Sequence, residues 1–104
     1  MSYSVADLDT VDSGGPGGMV RFVRKALGTR AFGHNYFVIP ADTVGREHDH
    51  AESGQEEVYF VVRGSGTMRI DGTSKRVPVA GPDGLELYTV GAPIEERYEP
   101  PPWG

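Results

Sequence analysis

A chain of 104 residues has room for one domain and not for two, and 38% hydrophobic with 24% charged residues separates it from disordered chains. The formal net charge of −5, with ten Lys and Arg scattered along the sequence, lacks the basic footprint of a nucleic-acid binder. The absence of cysteine excludes disulfides, thiolate metal sites and a cysteine nucleophile, so any metal must be held by histidine, carboxylate, backbone or water.

The opening stretch to Asp12 is polar, with neither the basic start nor the apolar centre of a secretory signal. No run approaches the roughly 18–20 apolar residues of a membrane helix, so the expectation is a cytoplasmic protein with no membrane partner. Ser13-Gly14-Gly15-Pro16-Gly17-Gly18 reads as a flexible loop. Beyond it, 15 glycines and 8 prolines punctuate short segments rich in Val, Ile, Tyr, Phe and Thr, the pattern of an all-β sandwich or barrel. Strands are expected over 19–24, 32–39, 46–50, 57–63, 66–70, 76–79 and 85–90, although 20–27 fits a short helix as well. Tight turns are expected at Gly64-Ser65-Gly66, at Asp71-Gly72 and at Gly81-Pro82-Asp83-Gly84. Three consecutive prolines, Pro100 to Pro102, keep the tail out of helix and central strand. The expected organisation is a flexible segment over 1–18, a β-barrel over 19–93 and an extended tail over 94–104.

The residues that carry chemistry lie between Gly45 and Gly64. Side chains alternate faces along a strand, so His48 and His50 share one face and can approach a common point. Six residues separate His50 from Glu57, at the start of the next expected strand. If those strands pair antiparallel, opposed Cβ atoms lie about 4.5–5.5 Å apart, close enough for a carboxylate to join two imidazoles on one ion. Parity does not choose between Glu56 and Glu57, because both faces of this strand are largely apolar.

The stretch Gly45, His48, His50, Glu57 and Gly64 resembles the first motif of the cupins: a glycine, His-x-His, a glutamate, and a glycine seven positions after it. Counting back from Gly64 makes Glu57 the implied ligand. The resemblance runs over 38–72, about a third of the chain, and implies a small jelly-roll β-barrel with its ligands facing inward. Two departures stand out. The interval from His50 to Glu57 is two or three residues longer than is usual in that family. The second motif, which carries another histidine ligand, is missing: His34, His48 and His50 are the chain's three histidines, and none follows Gly64. The missing ligand's position falls on Leu87 by one alignment and on Val77 by the preferred one, in which a hairpin has been lost between Gly72 and Ser74.

The resemblance therefore implies a metal-binding protein, with His48, His50 and Glu57 holding a divalent transition metal (Fe, Mn, Zn, Ni or Cu) and His34 as a candidate additional ligand. Tyr36, Tyr59 and Met68 are candidate pocket residues for a small organic molecule. The implied chemistry is that of a small metal-dependent oxygenase or isomerase; the alternative is a non-catalytic ligand-binding or structural barrel with a degenerate metal site. A barrel shortened by a hairpin leaves strand edges bare, which proteins seldom tolerate, so a homodimer is expected.

Overall fold

The computed structural model describes residues 3–45, 48–49, 55–71 and 75–104. Its elements in chain order are β1 (Ser13–Gly14), a 3-10 turn (Pro16–Gly18), β2 (Val20–Arg21), α1 (Val23–Leu27), β3 (Gly33–Ile39), β4 (His48–Asp49), β5 (Gln55–Asp71) and β6 (Lys75–Pro93). The chain is thus mostly antiparallel β, as its composition implies. No helix among the described residues is long and apolar enough to cross a membrane.

The two readings of 20–27 are both correct over part of the segment. Val20 and Arg21 pair with Phe37 and Tyr36 of β3, and the chain then coils into α1. Five residues are too few for a helix to sustain itself. It is held by burial of Val23 and Arg24 and ended by Gly28, whose left-handed φ of 74° lets its amide reach the Arg24 carbonyl. Upstream, Ser13–Gly14 pairs with β2, so the glycine-rich segment expected to be a loop contributes an edge strand.

β6 organises the sheet. Along one edge it pairs with β5 over nearly its whole length, from Gln55↔Pro93 to Asp71↔Lys75. Along the other it pairs with β3, from Gly33↔Gly91 to Ile39↔Leu85, and further on with β4, His48↔Arg76. After β3 the chain keeps to the same edge as far as Gly45. Asp42 donates to the Gly81 carbonyl (3.0 Å), Ala80 to that of Thr43 (2.9 Å) and Gly45 to that of Pro78 (2.7 Å). Two half-sheets result, β3–β6–β5 over one half of β6, and residues 42–45 and β4 with β6 and β5 over the other.

The expected turns at 64–66 and 81–84 do not reverse the chain. Each is a bend inside one long strand, so four expected strands become two. Gly64 opposes Leu85 while Gly66 opposes Ala80, and the pairing steps out of register between them. The backbones cross so closely that a Cβ on Gly64 would run into the Gly84 carbonyl oxygen. Both glycines also take left-handed φ, 84° and 82°. The turn expected at Asp71-Gly72 falls at the end of β5; Gly72 lies outside the described residues.

The core lies on one face of the sheet: Met19, Ile39, Leu85 and Leu87 with Ala80 from beyond the bend, and Phe37 and Tyr59 packed against them. The tail has no regular structure, and it packs on its own chain. Tyr98 is buried against Gly33, Trp103 meets Phe22 edge-on at 6.5 Å, and Arg24 Nε donates to the Gly104 carbonyl at 2.9 Å. The sheet is open among the described residues: β1 and β5 lie at its edges without pairing with each other.

Candidate functional site

Register places Glu57, Tyr59 and Val61 of β5 opposite Gly91, Thr89 and Leu87 of β6, which oppose Gly33, Asn35 and Phe37 of β3. This is the core face. It is apolar around Leu87 and Phe37 and turns polar toward Glu57, where Tyr59, Thr89 and Asn35 join it. Glu57 shares the face of the core, and Glu56, opposite Ala92, takes the other. Gly91 clears space for the acid: a Cβ there would press on the Glu56 carbonyl at 2.8 Å and reach Glu57 Cγ at 3.4 Å. Glu57 Oε1 and the Tyr59 hydroxyl are both shielded from solvent. Burial, and after it the adjacent Glu57 carboxylate, hold the Tyr59 hydroxyl well above the usual phenol range, while Arg76 pulls the other way.

Arg76 comes from the far half of β6, and its charge reaches Tyr59 because the two half-sheets bend around a shared core. The backbone of β4 brings His48 directly opposite Arg76. Of the three expected ligands, then, Glu57 is on the shielded core face and the backbone of His48 pairs with a residue in electrostatic reach of that face. His50 lies outside the described residues. Among the described residues no group of three or more His, Asp or Glu is arranged to hold a metal.

The remaining candidates divide between the faces. His34 opposes Val90, which opposes Val58, so it lies across the sheet from Glu57 and the sheet separates the two. Its Nδ1 is 2.6 Å from the Tyr88 hydroxyl, its ring packs between Phe32 and Tyr88, and its Nε2 is buried without a hydrogen-bond partner. Burial first, then Arg24, lowers its pKa from the ordinary 6.5, which keeps it neutral. Tyr36 shares that face, and its hydroxyl donates to Glu86 Oε1 at 2.6 Å. By this parity the candidate ligand His34 and the candidate pocket residue Tyr36 lie on the face away from Glu57. Met68 lies beyond the bend, half-buried opposite Pro78.

Both positions proposed for the missing histidine are apolar and buried, Val77 at 2% and Leu87 at 4% exposure. A small apolar pocket, about 20 Å³ of it open to the centre of a water molecule, lies between Met19, Phe37, Ile39 and Pro78. Sequence reasoning missed Arg76, Thr89 and Asn35 as neighbours of the site. Their proximity follows from which strands pair, and no local pattern carries that. No protein-family model matches the chain, and neither a curated protein nor a solved structure matches it.

Proposed function

We propose that the chain is a metal-binding β-barrel protein of the cupin type, a jelly roll shortened by one hairpin, in which His48, His50 and Glu57 hold a divalent transition metal (Fe, Mn, Zn, Ni or Cu). One observation carries the reading. β4 holds the backbone of His48 opposite Arg76, and Arg76 acts on Tyr59, which shares the core face with Glu57 two residues away. This supports an approach of the motif's histidine strand to its glutamate strand, although the two do not pair with each other. Two half-sheets bent around a common core at Gly64 and Gly84 agree with a jelly roll that has lost strands between Gly72 and Ser74.

The donor set fits such an ion. Glu57 offers a carboxylate oxygen shielded from water, on a face where Gly91 leaves room beside it, and imidazole with carboxylate suits borderline divalent metals. A metal held there supplies Lewis acidity and open positions for a small organic substrate, the chemistry of oxygenases and isomerases. Tyr59 keeps its proton at neutral pH and so presents a hydroxyl rather than a phenolate. Arg76 places a cation within reach of the same face, suited to a substrate that carries an anionic group.

Elemental analysis of protein purified without an affinity tag tests the reading. We expect bound metal in the wild type, most of it lost in His50→Ala and Glu57→Gln and all of it kept in His34→Ala, which alters the opposite face. Binding should collapse as pH falls through about 6–6.5, where ligand imidazoles protonate. Equal metal in wild type and His50→Ala would dismiss the site. The buried Val77 and Leu87, where a further ligand would belong, favour a second reading: a non-catalytic barrel that binds a small anionic molecule through Arg76. That reading takes over if added metals leave the wild-type melting temperature unchanged.

A further inference from the structure

β5 is a 17-residue strand that, among the described residues, pairs with β6 alone. Its free edge lacks two of the usual protections. It contains no proline and no lysine, and Val58, Phe60, Val61 and Val62 are between 52% and 63% exposed. A long apolar edge is a template for another strand. The charges on it indicate which strand. The pairing of β5 with β6 moves from Val61↔Leu87 to Arg63↔Glu86, so Val62 is an extra, bulged residue. Arg63 is thereby returned to the face of Glu56, Val58 and Phe60, where its Nε lies 3.6 Å from Glu86 Oε2 with the arginine 81% exposed.

We infer that β5 pairs antiparallel with β5 of a second copy, about a two-fold axis at Tyr59, so that one sheet runs through both molecules. In that register, with Val62 left out of the pairing as it is against β6, Val58 opposes Phe60 of the other copy and Glu56 opposes its Arg63, and symmetry makes each pair twice. An isologous contact must be self-complementary, and this one matches apolar with apolar and acid with base on a single face. On that face neighbouring registers fail, whereas the chosen one confines its acid–apolar contact to Glu57 and Val61 on the other face. An axis at Phe60 sets Val58 against Arg63, and an axis at Val58 sets Glu56 against Phe60. The inference does not depend on the metal, because Glu56 and Arg63 are on the face away from Glu57.

Charge exchange tests the register. By sedimentation velocity at micromolar concentration the wild type is expected to be a dimer. Glu56→Arg alone, or Arg63→Glu alone, sets like charges opposite one another twice and should weaken dimerisation by roughly ten- to a hundredfold. The double variant Glu56→Arg/Arg63→Glu should recover the dimer. Both side chains are exposed, so far-UV circular dichroism should show all three variants folded. Because the chain has no cysteine, a second measurement is direct: an oxidised mixture of Val58→Cys and Phe60→Cys proteins should cross-link faster than either alone. A monomeric wild type, single exchanges that leave the dimer intact, a double exchange that fails to restore it, or cross-linking no faster in the mixture would each overturn the inference.

Discussion

The two long strands β5 and β6 run side by side over nearly the same length, yet they have opposite environments. β5 holds the more continuous apolar run, Val58 to Val62, and much of it faces solvent. β6 is interrupted by prolines, glycines and charges, yet it holds Val77, Leu85 and Leu87 at 5% exposure or less. The difference is one of position. β6 has a neighbour on each edge, whereas β5 has one on a single edge among the described residues. Hydrophobicity selects the strand state for both, and place in the pairing order decides which of them is buried.

Substitutions at the bend where the two strands cross should have the largest effect. Gly64→Val puts a β-branched residue at a φ of 84° and drives its Cβ into the Gly84 carbonyl oxygen. A loss of about 3 kcal/mol or more is expected, seen in urea denaturation as an unfolded or barely folded variant. A native-like midpoint would mean that the strands do not cross there. Next is the buried strand itself. Leu87→Ala opens a cavity beneath Phe37 and Tyr59 and should cost about 2–5 kcal/mol. Phe60→Ala, on the exposed strand, should change the monomer's stability by about 0.5 kcal/mol or less when measured at concentrations that dissociate any dimer. Comparable costs for the two would show that β5 is covered in the monomer.

The smallest effect concerns β3, the other neighbour of β6. Below pH 6.5 the unfolded chain protonates His34 while the folded chain, with its lowered pKa, resists. The unfolded state then binds more protons, so this residue's contribution is complete above pH 6.5 and diminishes as the pH falls toward the folded pKa. The wild type should therefore lose stability between pH 7 and 5 relative to His34→Gln, and parallel stability profiles would show that His34 titrates as it does in the unfolded chain.

Much of this was legible in advance where the cause is local. The all-β character follows from short β-branched and aromatic segments between glycines and prolines. The special conformation of Gly64 and Gly84 was legible too, although these glycines bend long strands where turns that reverse the chain are expected. The Pro100–Pro102 run keeps the tail out of regular structure as expected, but its anchorage through Tyr98, Trp103 and the Gly104 carbonyl to Gly33, Phe22 and Arg24 involves residues some 65 to 80 positions earlier in the chain.

The residue inventory alone established that this protein has no thiolate ligand and no histidine beyond His50, and that the Pro100–Pro102 run stays out of regular structure. Those are matters of composition and of backbone stereochemistry one residue at a time. That Glu57 rather than Glu56 faces the core, that His34 is across the sheet from it, and that Arg76 approaches Tyr59 were decided only by tertiary structure. Each depends on register, and register is selected by the joint burial of residues far apart in the chain: a slip of a single residue would exchange the two faces of the strand.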